Sequence, residues 1–182
     1  MNYIFESERL RFRNWVGEDL PKMAAINANE EVMQFFSSAQ TKEQTQQFIS
    51  RMKAQFEAKG FCYFAVETLA DNEFIGFIGL SEQTYQADFT PCVDIGWRLS
   101  KVHWGKGYAT EGAKRVLQYG FEELKLEKVL SIAPVINTAS QKVMQKIGMQ
   151  KVKTFDHSLL LYNERLKKCV LYVVEKHRDI DK

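Results

Sequence analysis

The spacing of apolar positions changes several times along the chain, and each change marks an element. Leu10 and Phe12, in a segment running to Trp15, alternate with charged residues at the two-residue period of a strand. Asp19, ahead of Leu20-Pro21, reads as the cap of a short helix with Pro21 near its start, and Met23, Ala24 and Ile26 give that helix an apolar face. Val32, Met33, Phe35 and Phe36 cluster on a second turn or short helix. Thr41-Lys42-Glu43-Gln44 has the form of a capping box, in which hydroxyl and amide satisfy each other's backbone N–H groups. Behind it Phe48, Ile49, Met52 and Phe56 recur at helical spacing, and Gly60 marks the stop.

Past Gly60 the period changes. Residues 61–69 are rich in aromatics and valine, Asp71-Asn72-Glu73 is polar, and residues 74–80 are apolar again, so a hairpin is the natural pairing. Residues 93–99 predict a further strand, and Gly105 to Gly107 separate it from a helix over about 109–124. Residues 129–133 predict a strand that Pro134 ends or distorts. A helix follows over 137–147 with Val143, Met144 and Ile147 on one face, and Gly148 stops it. Strands over 152–155 and 169–174 flank a polar hairpin loop, 156–168. With no linker and no internal repeat, this order predicts one mixed α+β domain spanning residues 1–182.

Composition narrows the class. A chain of 182 residues, 45% hydrophobic and 26% charged, buries a sizeable core as an ordinary soluble protein. Residues 1–12 lack the apolar stretch of a secretory signal, and no apolar run approaches the roughly 20 residues that span a bilayer, so a cytoplasmic location without membrane contact is expected. Cys62, Cys92 and Cys169 sit among apolar neighbours without paired spacing, and His103, His157 and His177 are scattered, so no metal is expected. Residues 1–100 carry nine basic and fourteen acidic side chains; residues 101–182 carry sixteen and nine. A basic second half suits an anionic cofactor and an acidic first half a cationic amine. Equally, the halves interleave in space and the asymmetry is solvated surface. No basic stretch is interleaved with aromatics as in a nucleic-acid platform.

The chemistry concentrates after residue 93. Asp94-Ile95-Gly96-Trp97-Arg98-Leu99, then Gly105-Lys106-Gly107 and a helix, form an anion-binding arrangement. Glycines let backbone approach an anion, and the helix start supplies unpaired N–H groups and the positive end of a dipole. The spacing is neither a Walker loop nor the dinucleotide fingerprint. Trp104-Gly105-Lys106-Gly107-Tyr108-Ala109-Thr110-Glu111 resembles the acetyl-CoA signature of the GNAT superfamily of N-acetyltransferases. That signature reads Gln/Arg-x-x-Gly-x-Gly/Ala; Gly107 and Ala109 match its last two fixed positions, and Trp104 replaces the usual Gln or Arg. The form seen here is similar to the ribosomal-protein N-acetyltransferase branch, the RimJ/RimL-like proteins. So are Glu8-Arg9-Leu10-Arg11-Phe12-Arg13, Phe74-Ile75-Gly76-Phe77-Ile78-Gly79-Leu80 and Asp94-Ile95-Gly96-Trp97. Asn137-Thr138-Ala139-Ser140 with Gly148-Met149 resembles the second cofactor motif, and Cys169-Val170-Leu171-Tyr172 the closing strand, where His more often stands at position 169. The similarity covers about residues 6–174.

The resemblance implies a GNAT-like fold: a central mixed, mostly antiparallel sheet of about seven strands flanked by helices, splayed between its fourth and fifth strands. The backbone of Trp97, Arg98 and Leu99 is then expected to pair with the pantetheine arm as an added strand. Trp104, Gly105, Lys106, Gly107, Tyr108, Ala109 and Thr110 are expected around the pyrophosphate, and Asn137 and Ser140 near the pantetheine and thioester. Trp104 and Tyr108 equally well fill the core, and the alternative for Asn137, less favoured given the motif match, is a helix cap. The implied reaction moves acetyl from acetyl-CoA to a primary amine in a ternary complex. It needs a neutral amine, an acceptor for its proton and donors for the developing oxyanion. Asp94 stands where many relatives carry a glutamate base; one methylene shorter, it is expected to act through water, or else is a strand-end polar residue. The position of the usual tyrosine acid is Met144, which donates no proton. The Ser140 hydroxyl is the alternative, unless it bonds its own backbone. The acceptor is expected to be a protein N-terminal α-amine, or else a small amine, polyamine, amino sugar or antibiotic, with Phe35, Phe36 and Tyr85 as candidate pocket residues. A non-catalytic acyl-CoA-binding module is the other reading. A monomer or homodimer is expected.

Overall fold

The computed structural model describes residues 2–176. Eight strands form one sheet: β1 (Tyr3–Glu6), β2 (Leu10–Arg13), β3 (Tyr63–Thr68), β4 (Phe74–Gln83), β5 (Cys92–Leu99), β6 (Lys128–Pro134), β7 (Gln150–Asp156) and β8 (Lys168–Glu175). Their order across the sheet is β1-β2-β3-β4-β5-β6-β8-β7. Neighbours are antiparallel except β5 and β6, which are parallel. The sequence pattern predicts about seven strands; the additional one is β1. It is only four residues long and buries one side chain, Phe5, too short for a period to show. Tertiary contacts hold it, with the Phe5 ring against Phe12, Phe64 and Tyr119.

The strands expected to splay are β5 and β6. β4 and β5 pair at eight successive positions, from Gly76 opposite Leu99 to Gln83 opposite Cys92. β5 and β6 share a single register pair, Asp94 with Leu130. Beyond it the strands part, and β5 loses its neighbour on one side.

Five helices flank the sheet: α1 (Asp19–Ala28), α2 (Glu30–Met33), α3 (Lys42–Lys59), α4 (Tyr108–Glu122) and α5 (Thr138–Lys146). Alternation along β4 and β5 separates two faces. Phe77 and Ser81 meet α3, through Phe48 and Gln55. Ile78 and Leu80 meet α4 at Gly112 and Gly120. The α3 capping box is present: Gln44 N–H donates to Thr41 Oγ1 at 3.2 Å and Thr41 N–H to Gln44 Oε1 at 2.8 Å. Gly60 ends that helix at φ +77°.

Asp19 is not the cap of α1. Glu18 holds that position without a side-chain bond, and Asp19 is the first helical residue. Its buried carboxylate receives Arg13 Nη1 and Nη2 at 2.7 and 2.8 Å and Val16 N–H at 2.9 Å. Arg13 also donates to Glu67, from Nε, at 2.9 Å. A guanidinium this deep requires carboxylates around it, and that demand outweighs a cap open to water. Other boundaries move by a few residues: β4 runs on to Gln83 and α4 starts at Tyr108.

Candidate active site

Where β5 and β6 part, a cavity of about 990 Å³ opens through the sheet. The Ser131 hydroxyl donates to the Ile95 carbonyl at 3.0 Å just past the last shared pair, so the parting is anchored by a side chain rather than by a ladder. The cavity is lined on one side by β5 from Asp94 to Leu99 and on the other by Ser131 to Pro134 and the first turns of α5. The loop leading into α4 closes one end.

That end is built for an anion. Gly105 and Gly107 lie at φ +75° and +84°, where a side chain strains the backbone. Gly107 caps α4 without a side-chain hydrogen bond. The first amide bonded into the helix is Glu111 N–H, to the Gly107 carbonyl at 3.0 Å. The amides before it keep the unfilled donors of a helix start beside the cavity. Arg9 holds this loop from β2's approach: Nε donates to Glu111 at 2.6 Å, Nη1 to the Lys106 carbonyl at 3.1 Å, and the guanidinium lies 4.7 Å above the Tyr108 ring. Trp104 is 44% exposed and does not fill the core; its indole N–H donates to the Leu99 carbonyl at 2.9 Å. Tyr108, Ala109 and Thr110 are half-buried and line the cavity.

Across the cavity lies a buried carboxylate. Tyr63 on β3 donates its hydroxyl to Asp94 Oδ1 at 2.6 Å, and Gln83 Nε2 donates to the same oxygen at 3.1 Å. Gly96 makes room for this, since a Cβ there would stand 3.1 Å from the Tyr63 ring. The ring packs in one cluster with Phe77, at 5.0 Å, and Phe48, at 6.4 Å, which also touch each other. Burial pushes the Asp94 carboxyl up to about 6, against the two hydrogen bonds, which favour its charged form. Burial and the neighbouring Asp94 keep the Tyr63 phenol protonated well above its ordinary range. A carboxylate poised near neutrality faces an anion cradle across one cleft.

The acetyltransferase (GNAT) domain family model matches residues 9–150. The chain belongs to the GNAT family. As a GNAT-family N-acetyltransferase it has relatives of similar length. The uncharacterised protein YkkB of Bacillus subtilis (strain 168) is 30% identical over 149 residues, covering 81% of this chain and 86% of that protein. Among solved structures, a GNAT-family acetyltransferase from Bacillus anthracis superposes with a TM-score of 0.78 at 25% identity, over 93% of this chain and 96% of that one. RimL, a ribosomal L7/L12 alpha-N-protein acetyltransferase solved in complex with coenzyme A, gives 0.77 at 14% identity over 96% and 98%, a likeness of fold. GNAT acetyltransferases use acetyl-CoA.

The remaining expected residues of this GNAT site fall on α5 and the rim. Asn137 caps α5, its Oδ1 accepting Ser140 N–H at 3.1 Å, and it also lines the cavity. The Ser140 hydroxyl makes no hydrogen bond among the described residues and lines the cavity, so it does not bond its own backbone. Met144 is buried on the same helix. Phe35, Phe36 and Tyr85 line the same cavity. Its outer wall is tied across by Tyr162 Oη to Ser37 Oγ at 3.2 Å and Arg165 Nη1 to the Gln34 carbonyl at 2.6 Å. Sequence reasoning missed Tyr63, Gln83 and Ser131. Their only signal was an aromatic or polar position on a strand, and pairing register alone brings them to Asp94 and Ile95. The three cysteines are free, and burial pushes the cavity-lining Cys169 thiol up to about 11. Among the described residues no side-chain group is arranged to hold a metal, and no helix is long and apolar enough to cross a membrane. His177 lies outside the described residues.

Proposed function

We propose that this GNAT acetyltransferase binds acetyl-CoA along β5 and passes the acetyl group directly to a primary amine, with Asp94 receiving the amine's proton through a water. The observation that carries this is the Asp94 carboxylate: both its donors address Oδ1, leaving Oδ2 for the cavity. In the reaction the amine nitrogen bonds the acetyl carbon, the carbon–sulfur bond breaks, and coenzyme A leaves as a thiol. Gly105, Lys106, Gly107, Tyr108, Ala109 and Thr110 hold the pyrophosphate through backbone N–H groups. Trp97 and Arg98 offer the pantetheine arm the backbone edge that β6 leaves unpaired, while the Leu99 carbonyl is engaged by Trp104. The unengaged Ser140 hydroxyl is placed to give a proton to the departing sulfur.

The acceptor class follows the branch resemblance and the α-N-protein acetylation carried out by RimL: an α-amine at a protein N-terminus, with small amines as the second class. The test is acetyl-CoA turnover over a panel of N-terminal peptides and small amines, read as free thiol. Thiol release that depends on an amine is expected. Tight coenzyme A binding with no transfer to any amine would instead make the protein a binding module.

A further inference from the structure

Among the described residues, Arg98 is a buried cation without a paired anion. Its side chain is 9% exposed and lines the cavity on the same face of β5 as Asp94 and Gly96. Both its hydrogen bonds leave from one nitrogen: Nη1 donates to Asn27 Oδ1 at 2.6 Å and to Gln40 Oε1 at 3.5 Å. Nε has no partner, and no carboxylate among the described residues forms an ion pair with it. Phe36 and Phe77 lie 4.1 and 5.4 Å from the guanidinium carbon. Burial pulls this group down to about 10.

A purely structural role does not call for this charge. The bonds to Asn27 and Gln40 tie β5 to the segment between α1 and α3, and a neutral amide makes such bonds without stranding a cation. Arg13 shows what this same fold does with a structural buried guanidinium: it surrounds it with Asp19 and Glu67. Among the described residues, Arg98 has the depth and lacks the carboxylates. The anion is therefore expected from the cavity that Arg98 lines together with Phe35, Phe36, Tyr63 and Asp94. Asp94 and Arg98 are four positions apart, about 13 Å along an extended strand, and the Tyr63 ring lies over Gly96 between them.

We propose that the acceptor of this site carries a carboxylate as well as its amine, and that the Arg98 guanidinium receives that carboxylate while the amine lies toward Asp94. A planar guanidinium edge matches a carboxylate in two parallel hydrogen bonds. The carboxylate is either that of a small amino acid or an acidic side chain near a peptide N-terminus. The inference rests on the acetyl transfer proposed above.

The test compares matched acceptors: free amino acids against their carboxamides, and short peptides with Asp or Glu in the first two positions against the same peptides with Asn or Gln. The wild type is expected to prefer acids in at least one of the two sets by about tenfold or more in kcat/KM, the scale of one charge-assisted hydrogen-bonded pair. The set showing the preference identifies the source of the carboxylate. Arg98→Gln is expected to bring the acid-to-amide ratio near one, and Arg98→Lys to restore part of it. A structural role would lower both rates alike and leave the ratio intact. Equal use of acids and amides by the wild type would overturn the inference. So would a panel in which no acid is acetylated, or bound by the coenzyme A complex in calorimetry, better than its amide. The transfer reaction is judged separately, by whether any amine, neutral ones included, releases thiol.

Discussion

At the scale of the residue, the proposed proton acceptor Asp94 is expected to set the pH dependence. Its carboxyl is raised to about 6, so it is mostly protonated below that pH and a proton acceptor above it. With an acceptor amine of low basicity, kcat/KM is expected to rise with pH through a limb near 6. Asp94→Asn is expected to remove the limb and lower turnover more than coenzyme A affinity; equal losses in both would give Asp94 a structural role. Tyr63→Phe deletes a hydrogen bond that favours the ionised form. The limb in that variant is expected above its wild-type position, because the remaining burial still favours the neutral acid. A pH–rate profile of the two variants against the wild type checks both. An unmoved limb in Tyr63→Phe would detach the measured pKa from Asp94. The sequence singles out Asp94 by its place in the Asp-Ile-Gly-Trp run. It is silent on Tyr63, which is 31 residues away and meets Asp94 only through the pairing of β3, β4 and β5.

At the scale of the element, the turn into α4 is the most legible part of the chain. Gly-Lys-Gly ahead of a helical period means a sharp left-handed turn and a helix start, and both glycines do adopt positive φ. Any Cβ at Gly107 meets only Arg9 Nη2, at 3.4 Å, so space alone does not demand glycine there. Strain at φ +84° costs a side chain about 1–2 kcal/mol. Gly107→Asn, whose residue tolerates this conformation, is expected to keep most coenzyme A affinity. Gly107→Glu sets a carboxylate where phosphates are expected and should weaken binding by about tenfold or more. Calorimetry with coenzyme A distinguishes the two, and an unchanged Gly107→Glu would place the phosphates elsewhere. β1 shows the opposite case. Four residues with a single buried side chain have no readable period, and the strand exists because β2 offers an edge and the aromatic cluster takes Phe5.

At the scale of the whole molecule, burial reassigns side chains that local rules place at the surface. Asp19, which the sequence pattern reads as a helix cap, is one of three members of a buried charge cluster with Arg13 and Glu67. Arg13→Ala strands two carboxylates, and the expected loss is about 3–5 kcal/mol of unfolding free energy by denaturant titration. A loss under about 1 kcal/mol, the level of an exposed pair, would show that water reaches the cluster.

By itself the sequence determined the element order from β2 onward, the α3 capping box, the Gly105–Gly107 turn and the family likeness, because each rests on neighbours within a few positions. Only the tertiary structure decided where β5 parts from β6, which hydroxyl reaches Asp94, and that, among the described residues, Arg98 is buried without a counter-charge while Arg13 has two. Those facts depend on register between strands far apart in the chain and on which charges lose their water together. Residue spacing does not encode that directly.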